Sequence, residues 1–307
     1  MEGTRIVKKV RTSSPEARQI LAESLIPPMD RSLETLFTLR SKTRDFIEPA
    51  VEHVIKKYKV KIEACEIGGV SCLRVVPFEQ LVEWKILYGF GGGFVTGSPF
   101  EDLTIAAPLC AITGACLIIP HYRLAPKYPW PAAIDDGFAV YRVMSQKPFA
   151  LVGESAGGNL VLSLMLRAKQ LGIPLPGSVA LISPWCDLTN SGDSLSDNDG
   201  LDPVLTSQHL DFAVKHYAGD NTLIDPSISP INGKFNKTFP PILITTGTRD
   251  LLFSQAMGLT EVLREQDVVV DLRVWEDLWH VFEWDEKLPE AQESVSQIAK
   301  FLAEHTA

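Results

Sequence analysis

Cationic side chains are in deficit: 29 Lys and Arg stand against 38 Asp and Glu, a formal net charge of −9. Nucleic acids and anionic membranes reward clustered cations through counterion release and surface potential, so neither is an expected partner. Cysteine is sparse. Cys65, Cys72, Cys110, Cys116 and Cys186 are odd in number and form no CxxC pair, which argues against a disulfide framework or a zinc knuckle. Long apolar runs are missing as well: the longest, Ile105–Ile119, is interrupted by Pro108, Thr113 and Gly114 and falls short of the roughly 18 residues of a membrane span. The opening stretch MEGTRIVKKVRTSSPEARQ has no apolar core or small-residue cleavage site of a secretory signal. Together with free thiols this sets a cytoplasmic expectation. No period of about 20 to 50 residues recurs, and His, Cys, Asp and Glu do not gather at ligand spacing, so no metal and no cofactor is expected.

What is present is an ordinary globular balance, 45% apolar and 22% charged residues over 307 positions, enough for one sizeable core. Residues Ser14 to Val54 carry apolar side chains at helical intervals, including Ile20, Leu21, Leu25, Leu33, Leu36 and Phe37, with a break at Pro27 and Pro28. From Lys59 the pattern becomes extended: KVKIEACEI, VSCLRVV and EWKILYGF. Helical and strand signals then alternate: helix 102–112, strand ACLIIPHY, helix 132–144, strand PFALVG, helix 159–171, strand SVALISP, strand PPILITTG, helix 254–265, strand VVVDLRVW and helix 289–305. Such alternation implies parallel strands joined by right-handed crossovers, the α/β class. Between Asp187 and Phe239 the chain runs through Gly, Asn, Asp, Ser and Pro around one helical stretch, Ser207–Tyr217, and is expected to leave the sheet.

The segment ALVGESAGGN places a GxSxG motif, Gly153 to Gly157, between a strand and a helix. A sharp strand-to-helix turn needs small flanking residues, because bulk there collides with neighbouring backbone, and it lifts the central hydroxyl above the sheet edge. Ser155 is therefore the candidate nucleophile. A serine hydroxyl needs a base, and the base an orienting acid, in the chain order Ser, acid, His. Of the six histidines, His53 and His121 precede Ser155, His209 and His216 lie on the inserted helix, and His305 is near the end of the sequence given. His280 follows a late strand and is the candidate base. Asp250, at the end of PPILITTGTRD, is the candidate acid; Asp187 competes but opens the irregular insert, where a turn-forming role fits it better. Asp277 and Asp285 read as solvated charges.

Acyl transfer also needs donors for the oxyanion. The stretch ILYGFGGGFVTGS offers the amides of Gly92 and Gly93, and Ala156 follows the nucleophile. A dinucleotide fingerprint would need Gly at Phe94, and no GK[ST] occurs.

FGGGF, YRLAPKYPWPAA (Tyr122 to Ala133), GESAGGN, SPWCDLTNSG, DPVLT, DPSISP, GTRD and WHVF occur in order between Trp84 and Phe282. In this combination the chain resembles the hormone-sensitive-lipase-like branch of the α/β-hydrolases, the bacterial family IV carboxylesterases. The resemblance implies a triad at Ser155, Asp250 and His280 and oxyanion amides at Gly92, Gly93 and Ala156, the residues already singled out. It implies an eight-stranded, mostly parallel sheet flanked by helices, with a cap from residues 1–50 and 188–232 on a catalytic domain of 51–187 and 233–307. It further implies a short- to medium-chain ester as the small-molecule substrate, with Trp185, Leu205 and Phe212 as candidate pocket liners, in a monomer or homodimer. The chain departs from the family at Phe90, where HGGG has His, at Glu154, where Asp or Thr is common, and at Leu251-Leu252-Phe253-Ser254 after the acid. His121 and Lys127 replace the acids usual around YRLAP. YRLAP itself reads as scaffolding. Two other functions use the same residues: a noncatalytic small-molecule receptor, and amide or lactone hydrolysis or acyl transfer.

Overall fold

The computed structural model describes residues 13–23 and 33–306. The expected break at Pro27–Pro28, Leu25, and the opening residues read for an export signal lie outside them. Two helices lead, α1 (Pro15–Glu23) and α2 (Leu33–Tyr58). A hairpin of β1 (Lys61–Ile67) and β2 (Val70–Val76) follows, and then β3 (Lys85–Gly89), α3 (Leu103–Thr113), β4 (Cys116–Pro120), α4 (Ala132–Met144), β5 (Phe149–Glu154), α5 (Ala156–Leu171) and β6 (Ser178–Ile182). The segment between β6 and β7 holds a short α6 (Ser194–Asp197), α7 (Ser207–Tyr217) and a 3-10 turn, Pro230–Asn232, but no strand. The chain closes with β7 (Ile242–Gly247), α8 (Phe253–Glu265), β8 (Val270–Trp275), a 3-10 turn at Phe282–Trp284 and α9 (Pro289–Thr306).

The eight strands form one sheet in the order β1-β2-β4-β3-β5-β6-β7-β8, parallel except for the pairings of β2. β4, β5, β6 and β7 are buried along their whole length, because α3 and α9 cover one face and α4, α5 and α8 the other. That is why they read as mainly apolar runs, while β1, on the edge, mixes exposed and half-buried residues. The chain steps outward from β3 to β4, then returns to the other side of β3 as β5. The order therefore reverses at β3/β5, and the crevice outside the carboxyl ends of those strands is where such sheets present their ligand sites.

Two helix boundaries differ from the sequence reading by more than one residue. α2 runs on to Tyr58, past Val54 where the helical spacing was read to end. α5 begins at Ala156, three residues before Asn159, so the glycines read as a turn are its first turn. α7 matches Ser207–Tyr217; Thr206 caps it, its hydroxyl accepting from the His209 amide while the His209 ring accepts from the Thr206 amide. Among the described residues no helix is long and apolar enough to cross a membrane.

Candidate active site

β5 ends against the amino terminus of α5, and Ser155 between them has φ 51° and ψ −118°. The two glycines of the motif are there because backbones touch: a Cβ on Gly153 would lie 2.2 Å from the Gly157 carbonyl oxygen, and one on Gly157 1.9 Å from that of Gly89. The first contact closes the turn; the second seats α5 on β3. Gly157→Ala is expected to destabilise the fold by about 3 kcal/mol, because the obstacle is backbone and not a flexible side chain. The check is urea unfolding, and a variant with the wild-type midpoint would show that β3 and α5 do not approach so closely.

The turn brings Ser155 beside two residues from other loops. His280, after β8, has Nε2 at 3.0 Å from Ser155 Oγ and Nδ1 at 2.9 Å from Asp250 Oδ1. Asp250, after β7, is fully buried. Its Oδ2 accepts from the Thr246 hydroxyl at 2.9 Å and its Oδ1 from the Leu252 amide at 2.8 Å. Burial opposes ionisation of both partners, and their mutual attraction outweighs it. Asp250 is held below its ordinary value, and the imidazole is held above the usual 6.5. The Ser183 hydroxyl receives the Val281 amide at 3.1 Å, fixing the residue after His280.

The loop after β3 carries the other candidate atoms. The Gly92 carbonyl accepts from the Val95 and Thr96 amides at 3.0 and 2.8 Å and from the Thr96 hydroxyl at 2.9 Å, which curls the loop. Gly92 and Gly93 have φ of 97° and 63°. Among the described residues neither of their amides is spent on a backbone carbonyl. Phe90, which stands where HGGG has His, is buried and stacks on Tyr122 with ring centroids 4.0 Å apart, while the Tyr122 hydroxyl donates to the Phe90 carbonyl at 2.6 Å. The Ala125 amide donates to the Phe94 carbonyl at 2.9 Å. The YRLAP segment is thus the wall against which this loop is built.

Of the remaining candidates, Asp187 lies outside the constellation, accepting from Thr189 and Ser191 in its own turn. Asp277 pairs with Arg249 at 3.4 Å. Trp185 is buried, its amide donating to the Ser155 carbonyl at 3.0 Å and its ring about 4.0 Å from where a Gly93 Cβ would be. Leu205 is half-buried and its amide donates to Asp202 Oδ1 at 3.2 Å. Phe212 is buried on α7 with its ring against His216; the next residue, Ala213, is the one that packs on Gly93.

Two contributors escaped the sequence reading. Asp202, in DPVLT, is fully buried, and its Oδ2 accepts from the Leu251 amide at 2.9 Å and the His280 amide at 3.2 Å, tying the segment between β6 and β7 to the loops of Asp250 and His280. Burial, with Asp250 nearby, raises its pKa to about 6. Arg40 of α2 donates to the Val95 carbonyl at 2.6 Å and the Ala125 carbonyl at 2.8 Å, pinning the glycine loop from above. Among the described residues no three metal-ligating side chains converge.

Residues 86–284 match the model of the α/β-hydrolase-fold family. An esterase of Acinetobacter venetianus is 32% identical over 286 residues, covering 91% of this chain and 94% of its own. The crystal structure of EstE5 superposes with a TM-score of 0.88 at 28% identity, over 95% of this chain and 99% of that one. A hormone-sensitive lipase from a metagenome library does so at 0.85 and 28%, over 97% and 100%. The glycine turn, the strand order and these likenesses agree: the chain belongs to the α/β-hydrolases, in their hormone-sensitive-lipase-like carboxylesterase branch, and is a carboxylic ester hydrolase.

Proposed function

We propose that this esterase works through an acyl-enzyme on Ser155. The observation that carries the reading is the line of hydrogen bonds from Ser155 Oγ through His280 to Asp250, at 3.0 and 2.9 Å. His280 Nε2 takes the hydroxyl proton as Ser155 Oγ attacks the ester carbonyl, and returns it to the departing alcohol. Asp250 holds the proton on Nδ1 and stabilises the imidazolium. The amides of Gly92, Gly93 and Ala156 face the oxyanion. Water then repeats the cycle on the acyl group.

The acyl group is short to medium in length. Supporting this, Ala213 of α7 and the Trp185 ring both come against Gly93, which leaves little room beside the glycine loop. No cofactor takes part in the proposed cycle.

The test is a pre-steady-state burst with p-nitrophenyl acetate and butyrate, together with organophosphate labelling read by peptide mass. A burst of one equivalent and a label on Ser155 are expected. Folded enzyme that turns over the esters but shows neither would overturn the serine mechanism.

A further inference from the structure

Two buried carboxyl groups outside the triad meet behind the glycine loop. Glu154 closes β5 one residue before Ser155, and Asp102 immediately precedes α3; they are 5% and 2% exposed. They face each other, and among the described residues neither has a cationic partner within ion-pair distance. Glu154 lies on Gly91: a Cβ there would meet its Oε1 at 2.0 Å and its Oε2 at 2.6 Å, and the nearby Gly91 amide favours its charged form. Asp102 Oδ1 accepts from Trp284 Nε1 at 3.2 Å, in the 3-10 turn just after His280. Asp102 Oδ2 is buried with no donor of its own, and the Tyr88 hydroxyl beside it is buried without a well-formed bond.

Two carboxylates in contact, shut away from water and from any cation, cannot both be ionised. One proton between them solves the problem and supplies the donor that Asp102 Oδ2 lacks. Phe90 cannot anchor the loop with a side-chain hydrogen bond, since its ring has no donor or acceptor. We propose that Glu154 and Asp102 share one proton, and that the pair is the positioning device of the oxyanion loop, fastening Gly91 to the nucleophile strand, to the start of α3 and to the turn after His280. The role in turnover rests on the serine-esterase reading above; the shared proton does not.

The surroundings favour keeping that proton. Burial raises Glu154 well above the ordinary carboxyl range, with Asp102 adding to the effect, and raises Asp102 to about 7 against the pull of its hydrogen bonds. The other titratable groups facing the pair are Glu101, Glu283, Tyr88 and Tyr122, all acids, while Arg40 and Arg44 act on Glu101. Losing the proton as pH rises puts a second negative charge behind amides that must receive an oxyanion. Turnover therefore falls on the alkaline side.

The experiment measures kcat and KM against pH for the wild type, Glu154→Gln, Glu154→Leu and Asp102→Asn, with infrared spectra of the resting proteins. Glu154→Leu should lower kcat about tenfold with KM little changed, the signature of lost positioning and not of lost binding. Glu154→Gln, whose amide can donate to Asp102 and accept from Gly91 with no proton to lose, should recover most of that loss and abolish the alkaline fall. A protonated-carboxyl C=O band should be present in the wild type and diminished in Glu154→Gln. Should Glu154→Leu fail to fold, the infrared band and the pH profiles of Glu154→Gln and Asp102→Asn decide alone. Equal behaviour of the Leu and Gln variants, or no band lost in Glu154→Gln, overturns the proposal. A wild type with the band but no burst or label would sink the serine-esterase reading and leave the shared proton standing.

Discussion

Ser155→Ala is expected to lower kcat on p-nitrophenyl esters by about 10⁶-fold, equivalent to about 8 kcal/mol of transition-state stabilisation, and to remove the burst. Only the hydroxyl that bonds to His280 Nε2 is deleted. The glycine contacts on both sides of residue 155 and the backbone bonds its carbonyl accepts from the Gly158 and Trp185 amides remain. The melting temperature should accordingly stay within about 3 °C of the wild type, since no buried apolar volume is lost. Residual turnover above the rate in water is also expected, because the glycine-loop amides and the binding surface persist. A folded Ser155→Ala protein with a wild-type burst would move the nucleophile to another residue.

What could be read before the structure follows a physical division. The strands were visible because a parallel sheet covered on both faces favours apolar runs, as over Phe149–Val152 of β5 and Val179–Ile182 of β6, although β7 carries Thr245 and Thr246 inside its buried length. Ser155, Asp250 and His280 stood out because each follows a strand and their chain order suits the fold. Less local features did not show. Asp202 reads as one more turn former in an irregular segment, and its bond to the His280 amide spans 78 residues. Arg40 sits in an amphipathic helix where an arginine ordinarily means a solvated face. The first turn of α5 read as loop because Gly157 and Gly158 are poor helix formers, and it takes the close approach of Gly89 to the one and Pro184 to the other to explain why glycines stand in a helix there. Glu154 is visible as a departure beside the nucleophile and Asp102 only as the start of a helix, and nothing in the sequence joins the two until both are found buried.

Asp250→Asn should cost about 10⁴ in kcat while leaving the fold intact, because what fails is the tautomer of its partner. In the wild type the carboxylate can only accept, so His280 Nδ1 must carry hydrogen and Nε2 is left as the base facing Ser155 Oγ. An amide can turn its NH₂ group toward Nδ1 instead. The hydrogen then moves to Nε2, and the ring can no longer take the serine proton. The pH profile gives a second, independent readout. Burial lowers the affinity of His280 for a proton and Asp250 more than restores it, so the wild-type imidazole titrates above 6.5 and the acid limb of kcat/KM lies above that pH. Without the carboxylate, burial acts unopposed by its main partner, and the limb of whatever activity remains moves to lower pH. Asp187→Asn is the matched control, since that carboxylate serves Thr189 and Ser191 in its own turn. It should leave both the rate and the profile close to wild type. If Asp187→Asn cost more than Asp250→Asn, the acid would belong after β6 and not after β7. A large loss in Asp250→Asn with an unmoved acid limb would mean that the carboxylate orients the ring without governing its charge.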